Sequence, residues 1–255
     1  MDKSERCTLR RDLSTEVSPQ CKNSLLFETF LIRILSRFAN ISFARRDLAK
    51  ISMSYHHIYN RGAHKQPIFY DRSDYLRMLK LLYIANCSKS FQLRDFSEKN
   101  IFEIPRVDTL VDIVAYCLMP NHIHIAVRSK SDLENDPGIS KFMRKLCTAY
   151  SMYFNIKYDH SGTIWEGPFK EKISDDEIDY IKTLIRYIHL NPYGIKEPEM
   201  TKEARKEHPQ EAYEYSKNYE FSSLKDYLGE KRPQRSILDE QELKIWLNTE
   251  ERPQY

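Results

Sequence analysis

Apolar side chains recur at three- and four-residue intervals in several stretches of the chain, as they do along a helix with one buried face. Leu26, Phe27, Phe30, Leu31, Ile34 and Leu35 predict a helix over 24–39, whose stripe must pack on the main domain or on a second copy of the chain. Tyr75, Leu76, Leu79, Leu82 and Tyr83 predict a second over 73–88, with Ser73 as its cap. Ile139, Phe142, Met143, Leu146, Ala149, Tyr150 and Tyr153 predict a third over 139–156. Ile178, Ile181, Leu184, Ile185 and Ile188 predict a fourth. It starts at Ser174 or Asp175 and stops at Asn191, because the residue before Pro192 is pushed out of the helical region. A short amphipathic element is expected at Leu238–Leu247.

Between these stretches the pattern reads as strand. Tyr55–Asn60 forms one, leaving through Arg61-Gly62, and Ile101–Ile104 is read as another. Residues 111–128 read as two β-segments broken at Met119-Pro120-Asn121, since a proline has no N–H to give to a ladder. Residues 158–174 read as turn and short strand. The order β-α-β-β-α-β-α, with only six glycines, suggests an α+β domain in which helices pack against an antiparallel sheet. Three parts are expected: an N-terminal extension (1–52) with one helix, a central domain (53–197) and a charged C-terminal extension (198–255).

Composition narrows the class. Hydrophobic residues make up 41% of the 255 positions, enough to bury a core, so global disorder is excluded. A net charge of +3 is too small to name a nucleic-acid partner; the placement of the charges has to decide. Cys7, Cys21, Cys87, Cys117 and Cys147 form no C-x-x-C pair, which speaks against zinc ligation and a disulfide framework and for reduced thiols. With no long apolar run and no signal-peptide core near the N-terminus, a cytoplasmic location without a membrane partner is expected.

Two short motifs carry candidate chemistry. In Asn121-His122-Ile123-His124-Ile125 the histidines alternate, so on a strand both point to one face, where their ring nitrogens can hold a single ion. Two surface histidines on a strand would give the same pattern. In Tyr187-Ile188-His189-Leu190-Asn191-Pro192, Tyr187 and Asn191 lie a turn apart on a helical face other than the apolar one. Among 17 tyrosines this is equally the pattern of a half-buried aromatic with an asparagine cap. Together the motifs say more. A tyrosine hydroxyl, with a pKa of about 10, is a weak nucleophile at neutral pH, and becomes effective when a cation polarises the phosphate it attacks. Attack yields a phosphotyrosine and a 3′-hydroxyl and keeps the bond energy for rejoining. Hard phosphate oxygens favour Mg²⁺ or Mn²⁺.

His122-Ile123-His124 resembles the His-hydrophobic-His signature of HUH endonucleases. Met119–Val127 (MPNHIHIAV), Gly162–Lys170 (GTIWEGPFK) and Arg186–Pro192 (RYIHLNP), in that order, resemble the REP-associated tyrosine transposases, which belong with the insertion-sequence single-tyrosine transposases. Tyr55-His56-His57 leading to Asn60-Arg61-Gly62, Tyr219–Ser223 and Tyr227-Leu228-Gly229 extend the likeness over 53–229. The resemblance implies a ferredoxin-like sheet and a metal-assisted endonuclease that nicks and rejoins single-stranded, hairpin-forming DNA. In that reading His122 and His124 are metal ligands, Tyr187 is the nucleophile, and Asn191 is a third ligand. Glutamine holds the Asn191 place in related insertion-sequence enzymes, and Phe169 stands where some relatives have tyrosine. Arg61, Lys141, Arg144, Lys145, Lys170, Lys172 and Arg186 are the basic residues nearest the motifs and the candidates for phosphate contact. The tyrosine serves its own chain's site in some relatives and a partner's in others, which leaves a homodimer open, and the location implied is the bacterial nucleoid. Two rival readings are a domesticated, non-catalytic binder of hairpin DNA or structured RNA, and a phosphohydrolase that uses water at the histidine pair.

Overall fold

The structure is a computed structural model and describes residues 54–89, 101–106, 108–130, 137–174, 178–248 and 255. The N-terminal extension and the helix expected over 24–39 lie outside the described residues; residues 51–255 form one compact unit. Its centre is a four-stranded antiparallel sheet in the order β2-β3-β1-β4, with β1 at Tyr55–Arg61, β2 at Asp112–Met119, β3 at His122–Arg128 and β4 at Lys170–Ser174. Helices α1 (Arg72–Ala85), α2 (Pro137–Tyr158) and α3 (Ile178–Leu190) pack against it, so the α+β class expected from the pattern is the one observed. Pro120 sits in the β2–β3 turn, where no N–H is wanted, and its carbonyl accepts from the Ile68 and Phe69 amides at 2.8 and 3.2 Å.

The register fixes what each face carries. Tyr55, His57, Tyr59 and Arg61 of β1 stand opposite Arg128, Ala126, His124 and His122 of β3, and so share a face with them. Ile58 and Asn60 point the other way with Ile123 and Ile125. Asn60 Nδ2 reaches Cys147 Sγ at 3.9 Å, which identifies α2 as a cover for that second face. α1 packs on α2, and Ile58, Ile123, Ile125, Met78, Leu82, Phe142 and Leu146 are fully buried in the common core. α3 lies on β2 and β3 from the histidine side.

Three local expectations are corrected. The cap of α1 is Asp71, not Ser73: its carboxylate accepts from the Ser73 and Asp74 amides, and Asp74 answers the Asp71 amide, closing a capping box. Ile101–Glu103 is a single 3₁₀ turn and not a strand; Tyr83 donates to the Ile104 carbonyl at 2.6 Å, and Pro105 ends the segment. Ser174 closes β4 and does not open a helix, and the described part of α3 is Ile178–Leu190.

The C-terminal part is hydrophilic in sequence, yet it packs closely against the sheet. It holds α4 (Tyr193–Lys196), α5 (Lys202–Arg205), α6 (Pro209–Ser216), α7 (Leu224–Tyr227) and α8 (Glu240–Asn248), the last close to the amphipathic element expected at 238–247. Phe221 and Ser223 line the outer edge of β2: Leu118 N–H donates to Phe221 O and Ser223 N–H to Tyr116 O, each at 3.0 Å. An edge that would otherwise present bare ladder groups is thereby covered. α8 closes the end of the histidine face distant from the β2–β3 turn. There Glu242 accepts from Tyr55 Oη at 2.9 Å and pairs with Arg128 at 2.7 Å, while Trp246 meets the Tyr55 ring edge-on.

Candidate active site

β3 begins directly after the Pro120-Asn121 turn, so its first two outward side chains on one face are His122 and His124. Their ring centroids are 4.9 Å apart and the planes nearly perpendicular. His122 is half-buried and His124 only 5% exposed. The Tyr187 ring from α3 meets the His124 ring edge-on at 5.5 Å and the His57 ring at 5.7 Å. The sequence-predicted tyrosine and histidine pair therefore come together within one chain. α3 can present Tyr187 this way because Ile181, Leu184, Ile185 and Ile188 occupy its buried stripe. His189 points away. It is fully buried between Ser223 Oγ (2.8 Å) and Tyr255 Oη (2.6 Å), and burial, with help from the charge of Arg232, pulls it down to about 3, so it stays neutral.

The donor chemistry suits a cation. His122 Nδ1 lies 2.6 Å from Asn121 Oδ1, and Asn121 Nδ2 donates to Lys65 O at 3.0 Å, which orients the amide with its oxygen toward the imidazole. A carbonyl oxygen can only accept, so the His122 proton sits on Nδ1 and Nε2 carries the lone pair a metal needs. His124 has the corresponding contact, Nδ1 to His57 Nε2 at 2.8 Å. Among the described residues no group of three or more His, Cys, Asp or Glu is placed to hold an ion. Asn191 turns its Nδ2 back to the Tyr187 carbonyl at 3.2 Å, engaging the last turn of its own helix.

The basic candidates divide between the faces. Lys170 lies across from Tyr59 and Lys172 across from His57, both exposed on the histidine face, and Arg61 is the β1 neighbour of His122. Arg186 adjoins Tyr187 and is half-buried. Lys141, Arg144 and Lys145 sit on α2, across the sheet from the histidines. Lys145 Nζ binds the backbone carbonyls of Cys87 and Lys89. Trp165, 6% exposed with its indole N–H on Cys147 O, and Tyr193, 1% exposed, belong to the interior and are not stacking platforms. Pattern reasoning missed His57 and Asn121. Counting alternate residues reveals which of His56 and His57 faces the pair only once Tyr59 is known to stand opposite His124.

Gly62, at the exit of β1, holds the turn from which Asn121 is positioned. Its N–H donates to Asn121 O at 2.8 Å, and a Cβ there would lie 2.2 Å from Gln66 O and 2.8 Å from Ile68 Cγ2. The contact at Gln66 is with backbone and cannot swing aside. Gly62→Ala is expected to cost about 1–3 kcal/mol, read as a lower midpoint in thermal or urea unfolding; an unchanged midpoint would show that the turn relaxes without strain.

The model of the family described as "Transposase IS200 like" matches residues 52–191, more than half of the chain. The chain belongs to that family. The match spans β1 through α3, and thus the histidine pair and Tyr187 alike. A solved structure titled "Structure of the REP associates tyrosine transposase bound to a REP hairpin" is similar over 72% of this IS200-like chain and 84% of its own, at 14% identity and a TM-score of 0.43. No curated protein matches the chain. A transposase-type function on DNA follows from the family, and with it DNA cleavage as the general class of reaction.

Proposed function

We propose that this IS200-like chain nicks and rejoins single-stranded, hairpin-forming DNA through a covalent 5′-phosphotyrosine on Tyr187. The observation that carries the reading is the Tyr187 ring lying against His124 and His57, 5.5 and 5.7 Å between centroids, on the face that also bears Arg61, Lys170 and Lys172. The Tyr187 oxygen attacks phosphorus, the bond from phosphorus to the 3′ oxygen breaks, and that oxygen leaves as a 3′-hydroxyl with a proton in exchange for the one tyrosine gave up. The reverse reaction, from a different 3′-hydroxyl, transfers the strand. His122 and His124 would hold a Mg²⁺ or Mn²⁺ ion, with Asn191 as a third ligand after its side chain leaves the Tyr187 carbonyl. When bound, the ion withdraws charge from the phosphate and stabilises the charge that develops on it. Lys170, Lys172 and Arg61 would track the backbone, fixing position without reading sequence.

A hairpin oligonucleotide labelled on either side of the cut tests this. With Mg²⁺ or Mn²⁺, denaturing electrophoresis should show label on the 5′-phosphate side shifted to the mass of the protein. With EDTA the shifted band should vanish, while native gels still show complex. Cleaved DNA with no protein-linked label would mean a hydrolase that uses water. Complex without cleavage in either metal would mean a domesticated binder.

A further inference from the structure

Tyr59 shares the face of the histidine pair and takes no part in the chemistry above. The register sets Lys170, Tyr59 and His124 side by side in one row across β4, β1 and β3. The Tyr59 ring lies 5.9 Å from that of His124 and 5.2 Å from that of His57, between centroids. It is half-buried, with the rest of the side chain open to solvent. Other tyrosines of the domain lodge the hydroxyl on a protein acceptor: Tyr55 on Glu242, Tyr83 on Ile104 O, Tyr150 on Ile68 O and Tyr219 on Leu118 O. Tyr59 does not. Neither its hydroxyl nor the exposed Lys170 ammonium makes a hydrogen bond or ion pair with any described residue.

We infer that the Tyr59 hydroxyl donates to an oxygen of the phosphate next to the one that is cut, and that the Lys170 ammonium binds the same phosphate. This rests on the reading of the face as a site that cleaves single-stranded DNA. A phenol O–H donates while staying neutral, and a hydrogen bond to an anionic oxygen is stronger than one between neutral groups. The row supplies the spacing. Adjacent strands lie about 5 Å apart, so Lys170 stands about 10 Å from His124 with Tyr59 midway. A nucleic-acid strand carries one charge per nucleotide, so with one phosphate held at the histidines its neighbour comes within reach of the middle of the row. A contact there fixes the strand relative to Tyr187 and reads no base.

Hairpin oligonucleotides with a single neutral methylphosphonate, placed at each phosphate flanking the cut in turn, test this with the full chain. Binding is measured in EDTA, so it does not depend on the Tyr187 chemistry. Tyr59→Phe keeps the ring; it should leave the unfolding midpoint unchanged and weaken binding of the unmodified hairpin by roughly 10-fold. At one flanking position the methylphosphonate should weaken the unaltered chain similarly, and there Tyr59→Phe should add less than roughly 2-fold; at the others the two losses should multiply. With Mg²⁺, saturating DNA should restore the adduct in Tyr59→Phe. Losses that multiply at every flanking position overturn the inference, as does a Tyr59→Phe variant that binds as the unaltered chain does. A lowered midpoint also overturns it, by showing that the hydroxyl is bound within the protein. A variant that binds DNA but gives no adduct at any concentration makes Tyr59 the nucleophile instead. An unaltered chain that forms no complex with the hairpin sinks the DNA reading itself.

Discussion

Replacing Tyr187 by Phe should abolish the protein–DNA adduct, a loss of roughly 10³-fold or more in the rate of its formation, as expected when a covalent nucleophile is removed. The change deletes one oxygen and leaves the ring, so the edge-on contacts with His124 and His57, and the burial of the α3 stripe, stay in place. The variant should therefore stay folded and still bind hairpin DNA in gel shifts, which separates chemistry from folding. Phe169 bears on the alternative. It lies half-buried in the segment leading into β4, where some relatives carry tyrosine, and it has no hydroxyl to offer. If Tyr187→Phe still captures DNA, another of the remaining tyrosines must be the nucleophile; Tyr59, whose ring is 5.9 Å from His124 on the same face, would be the first to examine. The experiment thus identifies the attacking group as well as testing for one.

The histidine pair was legible from alternation alone, because a strand leaves only two directions for a side chain, and the helices expected over 73–88, over 139–156 and up to Asn191 appeared within a few residues of their expected ends. Other features were hidden for physical reasons. The meeting of Tyr187 with His124 joins positions 63 residues apart, and no local period encodes it; only the resemblance in order and motif pointed there. His57 waited on the register of β1 against β3. Ile101–Glu103 has the alternation of a strand but is too short to distinguish from a turn with one buried isoleucine. The C-terminal part misled most. Its packed residues include Ser222, Ser223, Asp226 and Glu242, buried because they are hydrogen-bonded or ion-paired, and a search for apolar periodicity passes over such residues. A neutral, buried His189 inside the tyrosine helix belongs to the same class: polar in sequence, interior in fact.

That polar interior makes Arg232→Ala the substitution with the largest expected effect on stability. Arg232 is 9% exposed at its side chain and forms a two-pronged pair with Asp226, 2.9 Å from Nε to Oδ1 and 2.6 Å from Nη2 to Oδ2. The same guanidinium donates to the carbonyls of Glu220 and Ser222 and to Tyr116 Oη at 2.8, 2.5 and 3.1 Å. It therefore clamps the segment that covers the outer edge of β2. Removing it strands a fully buried carboxylate, for which a loss of about 3–5 kcal/mol is the usual scale. Burial already pushes the Asp226 carboxyl above its ordinary value, and Arg232 opposes that push. Without Arg232 the carboxyl rises further, so between its unfolded pKa and that higher value the folded variant binds more protons than the unfolded chain. The sign follows: the deficit of Arg232→Ala should be full near pH 7 and shrink as the pH falls and Asp226 takes up a proton. Denaturant unfolding at pH 7 and pH 5, with Asp226→Asn and the double variant as controls, measures both parts. A deficit under about 1 kcal/mol, the scale of an exposed pair, would show that water reaches the site. The consequence extends to the active site through one chain of contacts, because Ser223 Oγ takes the Tyr116 N–H at 2.9 Å and also meets His189 Nε2 at 2.8 Å. Loosening the clamp frees one anchor of the helix that carries Tyr187, and adduct formation should fall even where the variant remains folded.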